Sequence, residues 1–292
     1  MKSATTTLHE QLARQPGIFM TTPKEPNFFS DDDVYARGIG WYESLFAGGA
    51  EAELRGESST HYTKLPTYPH TLERILEHVP DVKLVYLMRH PIDRLVSQYI
   101  HEWTEKRIRV TIDAAVDRHP ELVDYGLYAM QLRPYLEAFG PERVLPVFLD
   151  RLSVTPLAEL ERVCAFIGYR GEPRWHRVVT QTNASSERLR RSPLRDAIVT
   201  QPIARVLRQR LIPKSVRLRV QGLWKMKERP ELSPERMELL ARRFDADLAE
   251  LGEWLGVPLA CESFTSTTAA RPFEWTVAAP GWRGQRRLRR VA

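Results

Sequence analysis

Three stretches of the chain carry residue types that could do chemistry together. In the first, Lys2-Ser3-Ala4-Thr5-Thr6-Thr7 sets one cation, two small residues and three hydroxyls directly ahead of Leu8 and Leu12. The two leucines are four apart, so a loop feeding a helix start is expected, with a threonine as its cap. The first turn of a helix offers unpaired N–H groups and the positive end of the dipole, which suit a phosphate or sulfate. Lys2 would add a charge, and Thr5 and Thr6 would add hydroxyl donors. A capped surface helix is the plain alternative. In the second stretch, Lys24 and Glu25 stand between Pro23 and Pro26 and ahead of Phe28 and Phe29. The prolines favour extended backbone, and the phenylalanines would anchor the segment while the charges stay at a polar site. In the third, Arg89 follows the apolar run Leu84–Met88, and Arg94, Ser97 and His101 fall at i, i+3 and i+7 beyond it. These three share a helix face, which reads either as a second anion site or as a polar outer stripe.

The elements that must position these groups alternate between strand and helix. Ile18–Met20, residues 52–55, Leu84–Met88 and Val144–Leu149 read as strands, and the continuous apolar run of the third is typical of a buried parallel strand. Pro146 places the last at a sheet edge. Helical spacing is clear over Leu72–Val79, Ile92–Trp103, Tyr128–Phe139 and Leu157–Ile167, the last opened by Thr155-Pro156 and closed by Gly168. Asp31-Asp32-Asp33 leads an aromatic-rich segment to Phe46. Consecutive carboxylates do not converge on one ion, so a solvated helix start is expected there rather than a metal site. Residues 170–230 turn Arg- and Ser-rich and read as an irregular helical cover. Ser233-Pro234 opens a last helix, and an irregular basic tail is expected from 261 to 292. The strand–helix alternation indicates an α/β fold with a mainly parallel sheet, within one domain over 1–260. Arg89 then lies just outside the carboxyl end of a strand, where such sheets bind ligands.

Composition narrows the classes. The 292 residues are 42% hydrophobic, ordinary for a chain that buries a core. No run of about 18 apolar residues is present, so no membrane span is expected. Two cysteines, Cys164 and Cys261, are too few for a disulfide framework or a metal cluster, and no signal-peptide pattern is seen, so a reduced, cytoplasmic protein is expected. A net charge of +6 favours anionic ligands. Part of it lies in Arg283, Arg286, Arg287, Arg289 and Arg290, a solvated end or a loose nucleic-acid contact.

With these stretches laid out, the chain resembles the PAPS-dependent sulfotransferase family, particularly its carbohydrate-type and bacterial members. Lys2-Ser3-Ala4-Thr5-Thr6 is similar to that family's Lys-Ser-Gly-Thr-Thr loop, which holds the donor's 5′-phosphosulfate. Arg-His-Pro-Ile-Asp-Arg-Leu-Val-Ser, from Arg89 to Ser97, is similar to its 3′-phosphate segment. Lys24-Glu25-Pro26-Asn27-Phe28-Phe29, Gly56-Glu57-Ser58-Ser59 and Gly126-Leu127-Tyr128 match three further landmarks. The likeness covers about residues 1–185 and implies a P-loop-like three-layer α/β fold. It also implies PAPS as sulfate donor without a metal, and a sugar, lipid or small-metabolite acceptor with a hydroxyl or amine. The cofactor-binding residues would be Lys2, Ser3, Ala4, Thr5, Thr6, Arg89 and Ser97. Glu25 would act as the base, with His101 as second choice, and Lys2 would face the leaving oxygen. In-line transfer asks for such neutralisation and proton removal.

Two departures carry expectations. Ala4 stands where the family's loop has glycine, and its methyl would crowd a phosphate if the position needs φ > 0. The family's first strand, ahead of the loop, is missing from the sequence, so either an upstream start adding about ten residues or a truncated protein with poor activity is expected. Competing readings are a P-loop phosphotransferase, which would want Gly-x-x-x-x-Gly-Lys-Ser/Thr, and a basic polyanion-binding protein without turnover. Arg283 in Gly281-Trp282-Arg283-Gly284 is the candidate for a C-terminal donor contact.

Overall fold

The computed structural model describes residues 4–176 and 229–276. Lys2, Ser3, most of the 170–230 cover, Arg283 and the basic tail lie outside the described residues. The fold is α/β with parallel strands, but the strands form two pairs rather than one central sheet. β1 (Ile18–Met20) runs beside β2 (Leu54–Gly56), with Ile18 opposite Leu54 and Met20 opposite Gly56. β3 (Leu84–Met88) runs beside β4 (Val144–Phe148), with Leu84 opposite Val144 and Tyr86 opposite Pro146. β4 is buried throughout and lies at the edge of its pair, where Pro146 removes no needed donor. Leu54–Gly56 of β2 and Leu84–Leu87 of β3 both line one cavity of about 780 Å³. That cavity explains why the apolar residues Leu84–Leu87 are only half-buried.

Parallel pairing demands long crossovers, and helices supply them. α1 (Thr5–Ala13) packs on β1. α2 (Asp32–Tyr35) and α3 (Ile39–Ser44) lead from β1 to β2. α4 (Thr71–His78) joins β2 to β3. The next crossover holds α5 (Pro91–Thr104), α6 (Ile112–Arg118), α7 (Glu121–Asp124) and α8 (Tyr128–Phe139). α9 (Leu149–Val154) and α10 (Pro156–Ile167) follow β4, then α11 (Pro234–Leu255) and α12 (Phe264–Ala270). Pro91, Pro156 and Pro234 each sit in a first helical turn, where the missing N–H is harmless. Gly168 closes α10 at φ 88, as its place in the sequence suggests. Two expectations need correcting. Thr155 precedes α10 but its hydroxyl donates back to the Arg151 carbonyl at 3.3 Å instead of capping. The stretch after Cys261 is not irregular throughout: α12 forms because Phe264 is fully buried and Thr268 donates to Asp150 at 3.1 Å.

The larger core gathers Phe28, Phe29, Tyr42, Met88, Leu95, Tyr128, Leu132, Phe244 and Trp254; a smaller one joins Leu8, Leu12 and Ile18 to Val147, Leu160, Val163 and Cys164. Among the described residues no helix is long and apolar enough to cross a membrane. The aspartates at 31–33 act locally: Asp31 accepts from Val34 N at 3.1 Å as the cap of α2, and Asp32 pairs with Arg74 at 2.5 Å.

The start of α8 is capped from far away. Asp247, on α11, accepts from Ala129 N at 2.9 Å and Met130 N at 3.0 Å, satisfying two first-turn donors that have no partner within the helix. Asp247→Ala is expected to destabilise the fold by about 1–2 kcal/mol, with Asp247→Asn losing less. Urea midpoints at unchanged slope check this, and an Ala variant as stable as the parent would remove Asp247 as a cap.

Candidate active site

The site begins at the turn into α1. Ala4 precedes the helix at φ 62 and ψ 22, the left-handed region, so the strained geometry expected of a residue standing for glycine is what the backbone adopts. Among the described residues no side chain caps α1, contrary to the expected threonine cap. The reason is positional: the helix starts at Thr5, so the hydroxyls fall inside the first turn rather than ahead of it. Among the described residues, first-turn amides are thereby left without a side-chain acceptor, beside a cavity that Thr5 lines.

One turn further, His9 Nδ1 lies 3.0 Å from Ser58 Oγ on the segment following β2. Burial, with the Lys24 charge, pushes the imidazole down to about 4, so it is neutral near pH 7. The sequence gives no periodic signal for His9, and none for Ser58 beyond its place after Gly56-Glu57.

Glu25 sits in the left-handed region at φ 62, and Asn27 at φ 55. The prolines around them therefore do not keep this segment extended. Two such residues so close store strain that must be held by neighbours. Phe28 and Phe29 do hold it, at 0% and 2% exposure, and Ser59 Oγ accepts from Asn27 N at 3.0 Å. The carboxylate of Glu25 accepts from Lys24 Nζ at 2.7 Å and Thr60 Oγ1 at 2.9 Å. Burial works to raise its pKa. The Lys24 hydrogen bond and charge, the Thr60 hydrogen bond and the Lys64 charge outweigh burial, so Glu25 stays below the usual carboxylate range. It is thus anionic at neutral pH. Glu57 beside it behaves oppositely: burial pushes it up to about 7 against hydrogen bonds from Tyr62 and Ser59, the latter at 2.8 Å.

Arg89 follows β3 as expected. Its side chain is 21% exposed and lies 3.8 Å from Asp93. Its backbone is fixed by Tyr128, whose hydroxyl accepts from Arg89 N at 3.2 Å and donates to Arg89 O at 2.5 Å. Two residues earlier, Gly126 lets Phe244 and Arg94 pack close, because an added Cβ would stand 2.9 Å from Phe244 and 3.1 Å from the Arg94 guanidinium. On α5, Arg94 is not part of an outer stripe: it lines the cavity, and its buried Nε has no hydrogen-bond partner among the described residues. It is 1% exposed, donates to Gln98 at 2.6 Å and to the Leu122 carbonyl, and braces α5 against α7. Ser97 is 6% exposed and faces inward, while His101 is half-buried in the last turn. Neither lines the cavity. The structure thus brings the α1 start, His9, Ser58, Thr60 and, through Thr60, Glu25 to one cavity, with Arg89 just past a strand that lines it.

Residues 42–173 match the model of the Sulfotransferase family. Heparan sulfate glucosamine 3-O-sulfotransferase 6 of Homo sapiens is 30% identical over 175 residues, covering 57% of this chain and 49% of its own length. Heparan sulfate glucosamine 3-O-sulfotransferase 3A1 of Mus musculus is 30% identical over 179 residues, covering 57% and 43%. The chain therefore spans about half the length of the curated relatives it matches. A sulfotransferase crystal structure from Alicyclobacillus acidocaldarius superposes with a TM-score of 0.62 at 22% identity, over 88% of this chain and 93% of that one, which shows a shared fold.

Proposed function

We propose that this chain, whose residues 42–173 match the Sulfotransferase family model, moves a sulfuryl group from PAPS to a hydroxyl or amine of a glycan acceptor. The observation that carries this reading is the meeting, at one cavity, of an uncapped helix start behind left-handed Ala4 with a segment that keeps Glu25 anionic. The glycan class is supported by relatives whose names specify heparan sulfate glucosamine.

PAPS supplies a sulfuryl group on a 5′-phosphate leaving group and a 3′-phosphate as handle. In this reading Lys2, Ser3 and the amides and hydroxyls from Ala4 to Thr6 hold the 5′ side, where the uncapped turn and the dipole favour anions. Lys2 would offset the growing charge on the leaving oxygen. Arg89 and Ser97 take the 3′-phosphate, with Tyr128 fixing the Arg89 backbone. Glu25 removes the acceptor proton, and Lys24 and Thr60 orient its two oxygens. His101 is the second choice for that role.

Binding tests the donor half directly. Adenosine 3′,5′-bisphosphate should bind in preference to ATP, which lacks a 3′-phosphate. Arg89→Ala should weaken the bisphosphate about tenfold or more, the effect of losing a charge-assisted contact, while hardly changing a ligand without the 3′ group. Titration calorimetry reads both, and equal losses for the two ligands would remove Arg89 from the 3′ site.

A further inference from the structure

Glu57 is a carboxyl group with no part in the transfer chemistry, and its place is an unfavourable one. It follows β2, lines the cavity and is surrounded by Lys24, Glu25, Tyr42 and Tyr62. Burial disfavours its charge, and the like charge of Glu25 does so further. What Glu57 touches gives a reason for an acceptor there. Ser59 Oγ donates to Glu57 Oε2 at 2.8 Å and itself accepts from Asn27 N at 3.0 Å. The Tyr62 hydroxyl also donates to Glu57, and it accepts from Phe29 N at a long 3.5 Å. Both chains of hydrogen bonds end on the backbone just after Glu25.

A hydroxyl has one proton and two lone pairs, and it rotates until that proton is committed. With both protons drawn to Glu57, lone pairs are left facing the two amides, and each link strengthens the next. The same segment reaches Glu25 directly, since Thr60, beside Ser59, donates to Glu25 Oε2 at 2.9 Å. The backbone so held is the strained one, with Glu25 at φ 62 and Asn27 at φ 55. Such geometry persists only where its surroundings enforce it.

We propose that Glu57 is a positioning residue: through Ser59 and Tyr62 it fixes the backbone that seats the Glu25 carboxylate between Lys24 and Thr60. The inference rests on the sulfotransferase reading for what Glu25 then does. Glu57 itself takes no proton from the acceptor. Its role asks for an accepting oxygen rather than for a charge. In a neutral Glu57 the proton occupies one oxygen and leaves the other accepting, so the Ser59 link survives in both forms.

The test is the titration of Glu25 itself, followed by NMR at the side-chain carboxyl carbons of the free protein and assigned by comparison with Glu25→Gln. In the parent protein Glu25 should titrate below the usual carboxylate range. Glu57→Gln keeps an accepting oxygen and should leave it there. Glu57→Met keeps the volume without an acceptor, so Glu25 should rise into the usual range as Lys24 and Thr60 lose their hold. Both variants lack the Glu57 charge, so their difference is not electrostatic. Ser59→Ala leaves Glu57 in place and should move Glu25 in the same direction as Glu57→Met. A merely structural loss would lower the melting temperature without moving Glu25. Equal Glu25 titrations in the Gln and Met variants, or none moved by Ser59→Ala, overturns the proposal. If Glu57→Met does not fold, Ser59→Ala decides. In transfer from labelled PAPS to a heparan sulfate tetrasaccharide, kcat of Glu57→Met should fall about 10–100-fold, and no further once Glu25→Gln is added. A Glu25→Gln protein as fast as the parent would remove Glu25 as base, while the titration still decides the role of Glu57.

Discussion

Replacing Glu25 by Gln is expected to lower turnover roughly 10²–10⁴-fold, the usual contribution of a general base, while bisphosphate affinity stays nearly unchanged. The substitution keeps the shape and the hydrogen bond from Thr60 Oγ1 but removes the group that takes the proton. The pH profile adds a second reading. Lys24, Thr60 and Lys64 hold the Glu25 pKa below its ordinary value, so the base form persists as pH falls and is lost only beneath the normal carboxylate range. Activity should therefore keep its acid limb in that low region. Glu57, pushed up to about 7, would instead give an acid limb near neutrality. A limb near pH 7, together with a small Glu25→Gln effect and a large Glu57→Gln effect, assigns the base to Glu57. If His101→Ala shows the turnover loss and Glu25→Gln does not, the role passes to His101.

Phe28→Ala should destabilise the protein by about 3–5 kcal/mol, the cost of emptying a large aromatic site in a close-packed core. Phe28 is 0% exposed, and its ring centre lies 5.0 Å from Phe29, 4.9 Å from Tyr42, 5.2 Å from Tyr35 and 5.9 Å from Trp41. This cluster holds down a segment whose backbone is strained at Glu25 and Asn27. Its loss should reduce activity as well as stability. Phe28→Leu, which retains most of the volume, should lose less of each. Chemical denaturation with unchanged slope measures the difference, and a loss below about 1 kcal/mol would show that the cluster can collapse around the gap.

The periodic elements were legible in the sequence, because burial of one face dictates them. The apolar run Leu84–Met88, the proline-started α5 and the Gly168 stop of α10 appear where the pattern places them. The phenylalanine anchors at 28 and 29 were legible too, through their place between charges and aromatics. What was not legible depends on distant partners. Asp247 serves α8 from 117 and 118 residues away, and nothing near it in the chain says so. Arg94 looked like a surface or ligand charge because helical spacing cannot tell which polar residue a neighbouring carbonyl, here Leu122, will draw inward. The left-handed turn at Glu25 was hidden by prolines that argue for extended backbone.

The split between β1–β2 and β3–β4 has a consequence for how the molecule holds together in time. Hydrogen-bond ladders run within each pair, and no ladder links the pairs among the described residues. Cooperation between the two halves therefore passes through side-chain packing, such as Leu8, Leu12 and Ile18 against Val147, Leu160 and Val163. Packing without a shared ladder tolerates partial opening, so each pair is expected to open as its own unit in local unfolding. A molecule that touches both the α1 start and Arg89 spans that division. It would act as a tie-bar, turning two semi-independent units into a single cooperative one.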